Sequence, residues 1–159
     1  MEDLKQRFIE VVKEGAMENF SKDKELRPVL LTLQADEKGQ LGLVCLPLVQ
    51  LMNPEGKDIV AKLIQQARMT SPAVAMVSES WLVTKSNKPG EKIETDLAPM
   101  DDPDHIEVVN MMFYFGMESK MIWAEIIRPE NGDPMLANWQ DPGAVQVKGR
   151  FGEPPPSWN

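Results

Sequence analysis

The sequence predicts an α+β domain with two helices and a mainly antiparallel five-stranded sheet. Three observations support this prediction: two segments show helical periodicity, five segments show the composition or alternation of strands, and hairpin connections dominate over long crossovers. The elements follow in the order α-β-β-α-β-β-β. At 159 residues the chain has the length of one ordinary domain.

The first part of the chain supplies a helix and a hairpin. Apolar residues recur every three or four positions between Leu4 and Phe20, which predicts a helix over about 2–22. After Arg27-Pro28, alternation over 29–35 indicates a half-buried strand. A turn that ends at Gly39, which tolerates positive φ, returns the chain as a second strand over 41–46.

The second part supplies a helix and three strands. Asn53-Pro54-Glu55 predicts a helix start, because Asn caps free N–H groups and Pro suits the first helical position, and Ser71-Pro72 ends this helix. Runs rich in β-formers follow at 73–84, 106–115 and 121–127. A two-residue turn at Gly116-Met117 would join the last two strands. It would pair Phe115 with Glu118, Val108 with Glu125 and Asn110 with Trp123.

The last two strands are apolar on both faces, whatever their register. We expect the two helices to cover one face of the sheet, so that the other face needs a different cover. Leaving about ten large side chains in water would forfeit on the order of 10 to 20 kcal/mol. The candidate covers are the C-terminal segment, a ligand or a second copy of the chain. With a second copy as the cover, the sequence predicts a homo-oligomer.

Residues 1–128 form the predicted domain, and residues 129–159 form an extended C-terminal arm. The arm holds 6 of the 13 prolines and 4 of the 10 glycines, which excludes a regular helix or a central strand. Its large aromatic residues gain by docking on their own or a neighbouring subunit. The predicted partner-binding residues are Trp139, Phe151 and Trp158.

Charge and composition argue against several function classes. The 17 Lys and Arg against 25 Asp and Glu give a net charge of −8, which makes a nucleic-acid partner unfavourable. The single Cys45 excludes an internal disulfide framework, and the opening MEDLKQRF lacks the apolar core of a signal peptide, so we expect a cytoplasmic protein. The longest uncharged stretch, 39–54, is too short and too polar to span a membrane.

An acidic segment over 94–107 carries six carboxylates and no Lys or Arg. Clustered carboxylates can hold Mg²⁺, Mn²⁺ or Ca²⁺, whereas the simpler interpretation is a solvated polar loop. With a solvated loop here, the leading prediction is a protein without a cofactor. The alternative is a small carboxylate-metal hydrolase in which His105 lies beside the metal ligands Asp101, Asp102, Asp104 and Glu107.

Pro103-Asp104 and Glu118-Ser119-Lys120 together resemble the PD-(D/E)xK signature of metal-dependent nucleases. In that family the acidic pair binds magnesium and the lysine orients or activates water. The resemblance covers only these five residues. It departs from the family because a helix intervenes after two strands here, and because Glu118 lies at a turn. Chance recurrence of short acidic patterns is the better explanation.

Glu79 and Glu125 each alternate in phase with large apolar residues. If those faces are buried, each carboxylate needs a partner or a proton. We expect structural ion pairs rather than catalysis. The candidate partners are Arg68, Lys120 and Arg128.

Taken together, these patterns favour a non-enzymatic, self-associating, protein-binding module, mainly because familiar catalytic motifs such as GxGxxG and HExxH are missing. Two alternatives stay open. One is the carboxylate-metal hydrolase. The other is a small-molecule-binding domain with a pocket beneath the long connection 85–105, where Trp81 or Trp123 would stack on the ligand.

Overall fold

A computed structural model describes residues 2–82 and 105–141. These residues form two α-helices and a six-stranded antiparallel sheet in the order β2-β1-β3-β4-β5-β6, which confirms the predicted α+β class. The elements are α1 (Glu2–Asp23), β1 (Val29–Ala35), β2 (Leu41–Pro47), a 3₁₀ turn η1 (Val49–Leu51), α2 (Pro54–Thr70), β3 (Val74–Leu82), β4 (Ile106–Phe115), β5 (Glu118–Ile127) and β6 (Met135–Leu136).

The ends of α2 follow the predicted signals. The Asn53 side chain accepts a 2.7 Å hydrogen bond from the Gly56 N–H, and Pro54 takes the first helical position. At the other end, Ser71 is extended and its N–H is bonded to the Ala67 carbonyl. Local sequence chemistry is therefore sufficient to set both ends of this helix.

The β4–β5 hairpin has the predicted register. Phe115 faces Glu118, and the pairs Val108–Glu125 and Asn110–Trp123 follow from it. Gly116 has a φ of 62°, a conformation in which a side chain would be strained. Strand β5 starts at Glu118, three residues before the predicted strand, because the tight turn brings its first residues into the ladder.

The two helices lie on opposite faces of the sheet, so the prediction that both cover one face is wrong. Strands β2 and β3 run in the same direction with β1 between them, and α2 is the crossover that connects them. We call the side of the sheet that packs against α1 the α1 face and the other side the α2 face. Each face has its own core, and β4 buries Phe113 on one and Tyr114 on the other.

Three phenylalanine rings pack together in the core of the α1 face. Phe8 of α1 meets Phe113 and Phe115 edge to face, with ring centroids 6.0 and 6.1 Å apart. Such geometry places ring edges against ring faces, which is the favourable arrangement of their quadrupoles. The other buried α1 residues of this core are Ile9, Val12, Ala16 and Phe20.

The core of the α2 face contains a buried cation. Arg68, 3% exposed, donates from Nη2 to the Gly116 carbonyl at 3.1 Å, and its guanidinium carbon lies 4.8 Å from the centre of the Tyr114 ring. Burial lowers the pKa of Arg68 from its ordinary value. Arg68 thereby ties α2 to the turn of the β4–β5 hairpin.

The start of the C-terminal arm lies along β5. Strand β6 pairs with the end of β5, and Gln140 exchanges backbone hydrogen bonds with Trp123 at 2.7 and 3.1 Å. Trp139 packs against the core of the α1 face, and its Nε1 lies 3.4 Å from the sulfur of Met17. The arm beyond residue 141, with Phe151 and Trp158, lies outside the described residues.

In the described ranges 2–82 and 105–141, no helix is both long enough and apolar enough to cross a membrane.

Candidate functional site

Strand β2 forms one edge of the sheet, and all seven of its residues are exposed. It carries no charge, and its large side chains keep 42 to 51% of their surface in solvent on both faces. Leu41 and Leu43 point to the α1 face, while Val44 and Leu46 point to the α2 face. We call residues 41–47 the β2 edge.

Hydrogen bonds at the two ends of the β1–β2 ladder fix which backbone groups of the β2 edge are open. Asp36 N donates to Gln40 O at 2.8 Å, and Leu48 N donates to Pro28 O at 2.9 Å. In an antiparallel ladder the bonded pairs alternate, so the even residues of β2 bond to β1. The N–H and C=O groups of the odd residues therefore point away from the sheet. The odd residues with both groups are Leu41, Leu43 and Cys45.

An apolar groove of about 520 Å³ runs beside the β2 edge, between α1 and the strands. Val11 and Gly15 of α1 form one wall, and Leu31, Leu43 and Cys45 form the floor. A smaller hollow of about 260 Å³ continues it past Val11 and Leu43. We call the two together the α1 groove. Its polar side chains lie mainly toward the ends of α1: Arg7, Asn19, Asp23, Glu25 and Arg27.

The opposite edge of the sheet is different. Strand β6 has two residues, and the backbone of Gln140 continues the pairing to β5 as an isolated bridge. Short edge strands of this kind discourage pairing with another chain. Within the described residues, the β2 edge is thus the longer and more apolar of the two sheet edges.

The predicted metal ligands are described only at Glu107, because Asp101, Asp102 and Asp104 lie outside the described residues. The Glu107 carboxylate accepts a 2.9 Å hydrogen bond from Arg128 Nε. In the parts of the chain that the structure describes, no three His, Cys, Asp or Glu side chains come together in a group that could hold a metal ion. The metal site stays a prediction.

Two of the residues that carry the PD-(D/E)xK resemblance, Glu118 and Lys120, have ion-pair partners of their own. Pro103 and Asp104 lie outside the described residues. The Glu118 carboxylate lies 2.7 Å from Lys5 Nζ, and Lys120 Nζ lies 2.9 Å from Asp141. The bond to Glu118 is the main cause that raises the pKa of Lys5. Both ion pairs tie α1 or the arm to β5, which is a structural role.

The two tryptophans of the small-molecule hypothesis lie apart from the α1 groove. Trp81, at the end of β3, packs edge to face on the His105 ring, with centroids 4.4 Å apart. Trp123 is half-buried in the middle of β5. The connection that was to cover a pocket lies almost entirely outside the described residues, so that hypothesis stays a prediction.

Glu79 has a structural partner, although not one of the predicted cations. Its carboxylate accepts a 2.9 Å hydrogen bond from the backbone N–H of Leu26, in the connection between α1 and β1. The predicted partners are engaged elsewhere, Arg68 beside Tyr114 and Arg128 beside Glu107. This partner could not be predicted from the sequence because it is a partly buried backbone donor, which no side-chain pattern reveals. The Glu125 side chain is half-buried on the α2 face.

Glu79→Ala is expected to lower the free energy of unfolding by about 1 to 3 kcal/mol, because the partly buried Leu26 N–H loses its acceptor. Glu79→Gln keeps an oxygen acceptor and is expected to lose less than about 1 kcal/mol. Urea denaturation of the two variants and the parent protein measures the difference. Equal losses in the two variants would show that the hydrogen bond does not stabilise the connection.

Comparison with protein-family models, curated proteins and solved structures finds no match to this chain. Function is therefore inferred from the geometry of the β2 edge and the α1 groove.

Proposed function

We propose that this protein is a self-associating, protein-binding module whose docking surface is the β2 edge, with a second copy of the chain as its occupant. One observation carries the proposal: a seven-residue edge strand without charge exposes apolar side chains on both of its faces. A strand of a second copy would extend the sheet by β-augmentation and cover this surface.

Within the described residues, the β2 edge has few of the features that usually keep an edge strand from pairing. Proteins protect such edges with charged side chains, especially Lys, or with bulges, prolines and covering segments. The one such feature within β2 is Pro47, at its end. An edge left in this state is a template for another strand, since both its open backbone groups and its apolar side chains gain by pairing.

Apolar burial supplies a driving force of useful size. Covering the exposed half of a Leu or Val side chain is worth about 1 kcal/mol. The exposed large side chains of this region are Leu41, Leu43, Val44, Leu46 and Val49, and each copy contributes its own set. The net charge of −8 on each copy opposes association at long range, so we expect self-association to strengthen as salt screens that repulsion.

Leu43→Lys is expected to weaken self-association about tenfold or more. The interface would have to bury an ammonium group from each copy or hold the two ammonium groups close together. Sedimentation velocity over a range of protein concentrations measures the dissociation constant. The matched control is Ile59→Lys, an apolar and half-exposed position that belongs to α2 and not to the β2 edge.

Two results would overturn the proposal. One is a parent protein that stays monomeric at all accessible concentrations and salt. The other is an equal effect of Leu43→Lys and Ile59→Lys, which would show that general surface charge rather than the β2 edge controls association.

A further inference from the structure

We infer that two copies pair their β2 strands antiparallel about a two-fold axis between the two Leu43 residues. This inference rests on the proposed function and adds to it a specific register. Leu43 of one copy would face Leu43 of the second copy. Leu41 of each copy would face Cys45 of the other.

The open backbone groups select this register. Leu41, Leu43 and Cys45 each present an outward N–H and an outward C=O. Beyond them the series is blocked at both ends: Pro47 has no N–H, and the Gly39 N–H is already bonded to Asp36 O at 3.0 Å. The usable groups are therefore symmetric about Leu43.

In the Leu43-centred register, all the outward N–H and C=O groups of Leu41, Leu43 and Cys45 find a partner, and only the Pro47 C=O stays open. Each facing pair exchanges two hydrogen bonds, or about six over the three pairs. Centring the axis on Val44 or Cys45 would place Pro47 opposite Leu41 or Leu43, so that one C=O in each copy lost its donor. Centring it on Gly42 would place Cys45 opposite Gly39, whose N–H is already used.

Charge and side chains suit a second copy of the chain. No charged residue lies within the paired segment, so two chains of the same net charge meet there without like charges facing each other. A two-fold axis perpendicular to the sheet keeps both α1 helices on the same side. The β2 side chains that line the two α1 grooves, Leu41, Leu43 and Cys45, would then adjoin across the axis.

Single-cysteine variants test the register, because a residue faces its own copy only at the two-fold axis. The three proteins are Leu43→Cys with Cys45→Ser, Val44→Cys with Cys45→Ser, and the parent with its exposed Cys45. Oxidised glutathione accepts the electrons and is reduced to glutathione as the disulfide forms. Facing hydrogen-bonded residues have Cα atoms about 5.5 Å apart, within disulfide range.

We expect the Leu43→Cys protein to form a covalent dimer at least about tenfold faster than the other two. In this register the two Val44 residues lie about 8 Å apart and the two Cys45 residues about 14 Å apart, given the spacing along and between strands. Both distances are too long for a disulfide. Cys45→Ser alone serves as background control. Its sedimentation and thermal unfolding are the reference for the two variants that carry Cys45→Ser, because residue 45 itself faces Leu41 of the other copy in the proposed pairing.

The possible failures separate the two proposals. A dimer in sedimentation that crosslinks fastest through residue 44 or 45, or through none of the three, overturns the register and leaves self-association at the β2 edge standing. A monomer in all three proteins at high concentration overturns both the register and the proposed function.

Discussion

Replacing Gly56 with alanine is expected to lower the free energy of unfolding by about 3 to 5 kcal/mol, near the upper end for a single substitution. Gly56 lies buried in the first turn of α2, where a Cβ would come within 2.6 Å of the carbonyl carbon and 2.7 Å of the Cα of Leu51. These are backbone atoms of η1, so no side-chain rotation relieves the clash. Either α2 or η1 has to move.

Movement of η1 would affect the neighbouring core and the end of the β2 edge. Leu48, which precedes η1, is fully buried on the α2 face and bonds through its N–H to Pro28. Asn53 caps α2 through the Gly56 N–H itself. A displaced Gly56 therefore weakens the helix cap, the core and the β1–β2 ladder together.

Gly15→Ala is the matched control for Gly56→Ala. Gly15 lies in the middle of α1, and a Cβ there would meet nothing within 4 Å. Alanine should stabilise the helix by about 0.5 to 1 kcal/mol, because glycine loses more backbone freedom on folding. Chemical denaturation of both variants gives the two free energies. A Gly56→Ala protein as stable as the parent would contradict the close approach of α2 and η1.

The elements of this fold were predictable because their signals are local. Asn53 and Pro54 mark the start of α2, and Gly116 sets the turn that fixes the whole β4–β5 register. The placement of the helices was not predictable in the same way. With strands that are apolar on both sides, periodicity cannot assign a helix to a face. That choice depends on the crossover from β2 to β3 around β1.

Exposed apolar surface is present, but it does not lie where the sequence predicted it. Apolar surface that needs a cover was expected on a whole face of the sheet, whereas the two helices cover both faces and leave the β2 edge exposed. The available signal was the uncharged stretch 39–54, which contains the strand. The order of strands decides that β2 lies at an edge, and strand order is a long-range property that composition does not contain.

The stability of the Tyr114→Phe protein is expected to differ from that of the parent protein in alkaline solution. At neutral pH the substitution should change stability by less than about 1 kcal/mol, because the buried Tyr114 hydroxyl has no hydrogen-bond partner among the described residues. Burial raises the pKa of Tyr114 far above its ordinary value of 10.0, and the nearby Arg68 opposes this only in part. The folded protein therefore keeps the phenolic proton where the unfolded chain releases it.

This difference predicts the pH dependence and its sign. Below pH 10 both states hold the proton, and the contribution of Tyr114 to stability is complete. Above pH 10 the unfolded chain ionises while the folded protein does not, so the parent loses about 1.4 kcal/mol for each pH unit relative to the Phe variant. By pH 12 the Phe variant should be more stable by about 3 kcal/mol, as measured by urea denaturation of both proteins at matched pH. Tyr114 is the sole tyrosine of the chain, so the ultraviolet absorbance of tyrosinate reports its ionisation directly. A tyrosinate signal that rises with a midpoint near pH 10 in protein that is still folded would contradict the burial of this side chain between α2 and the sheet.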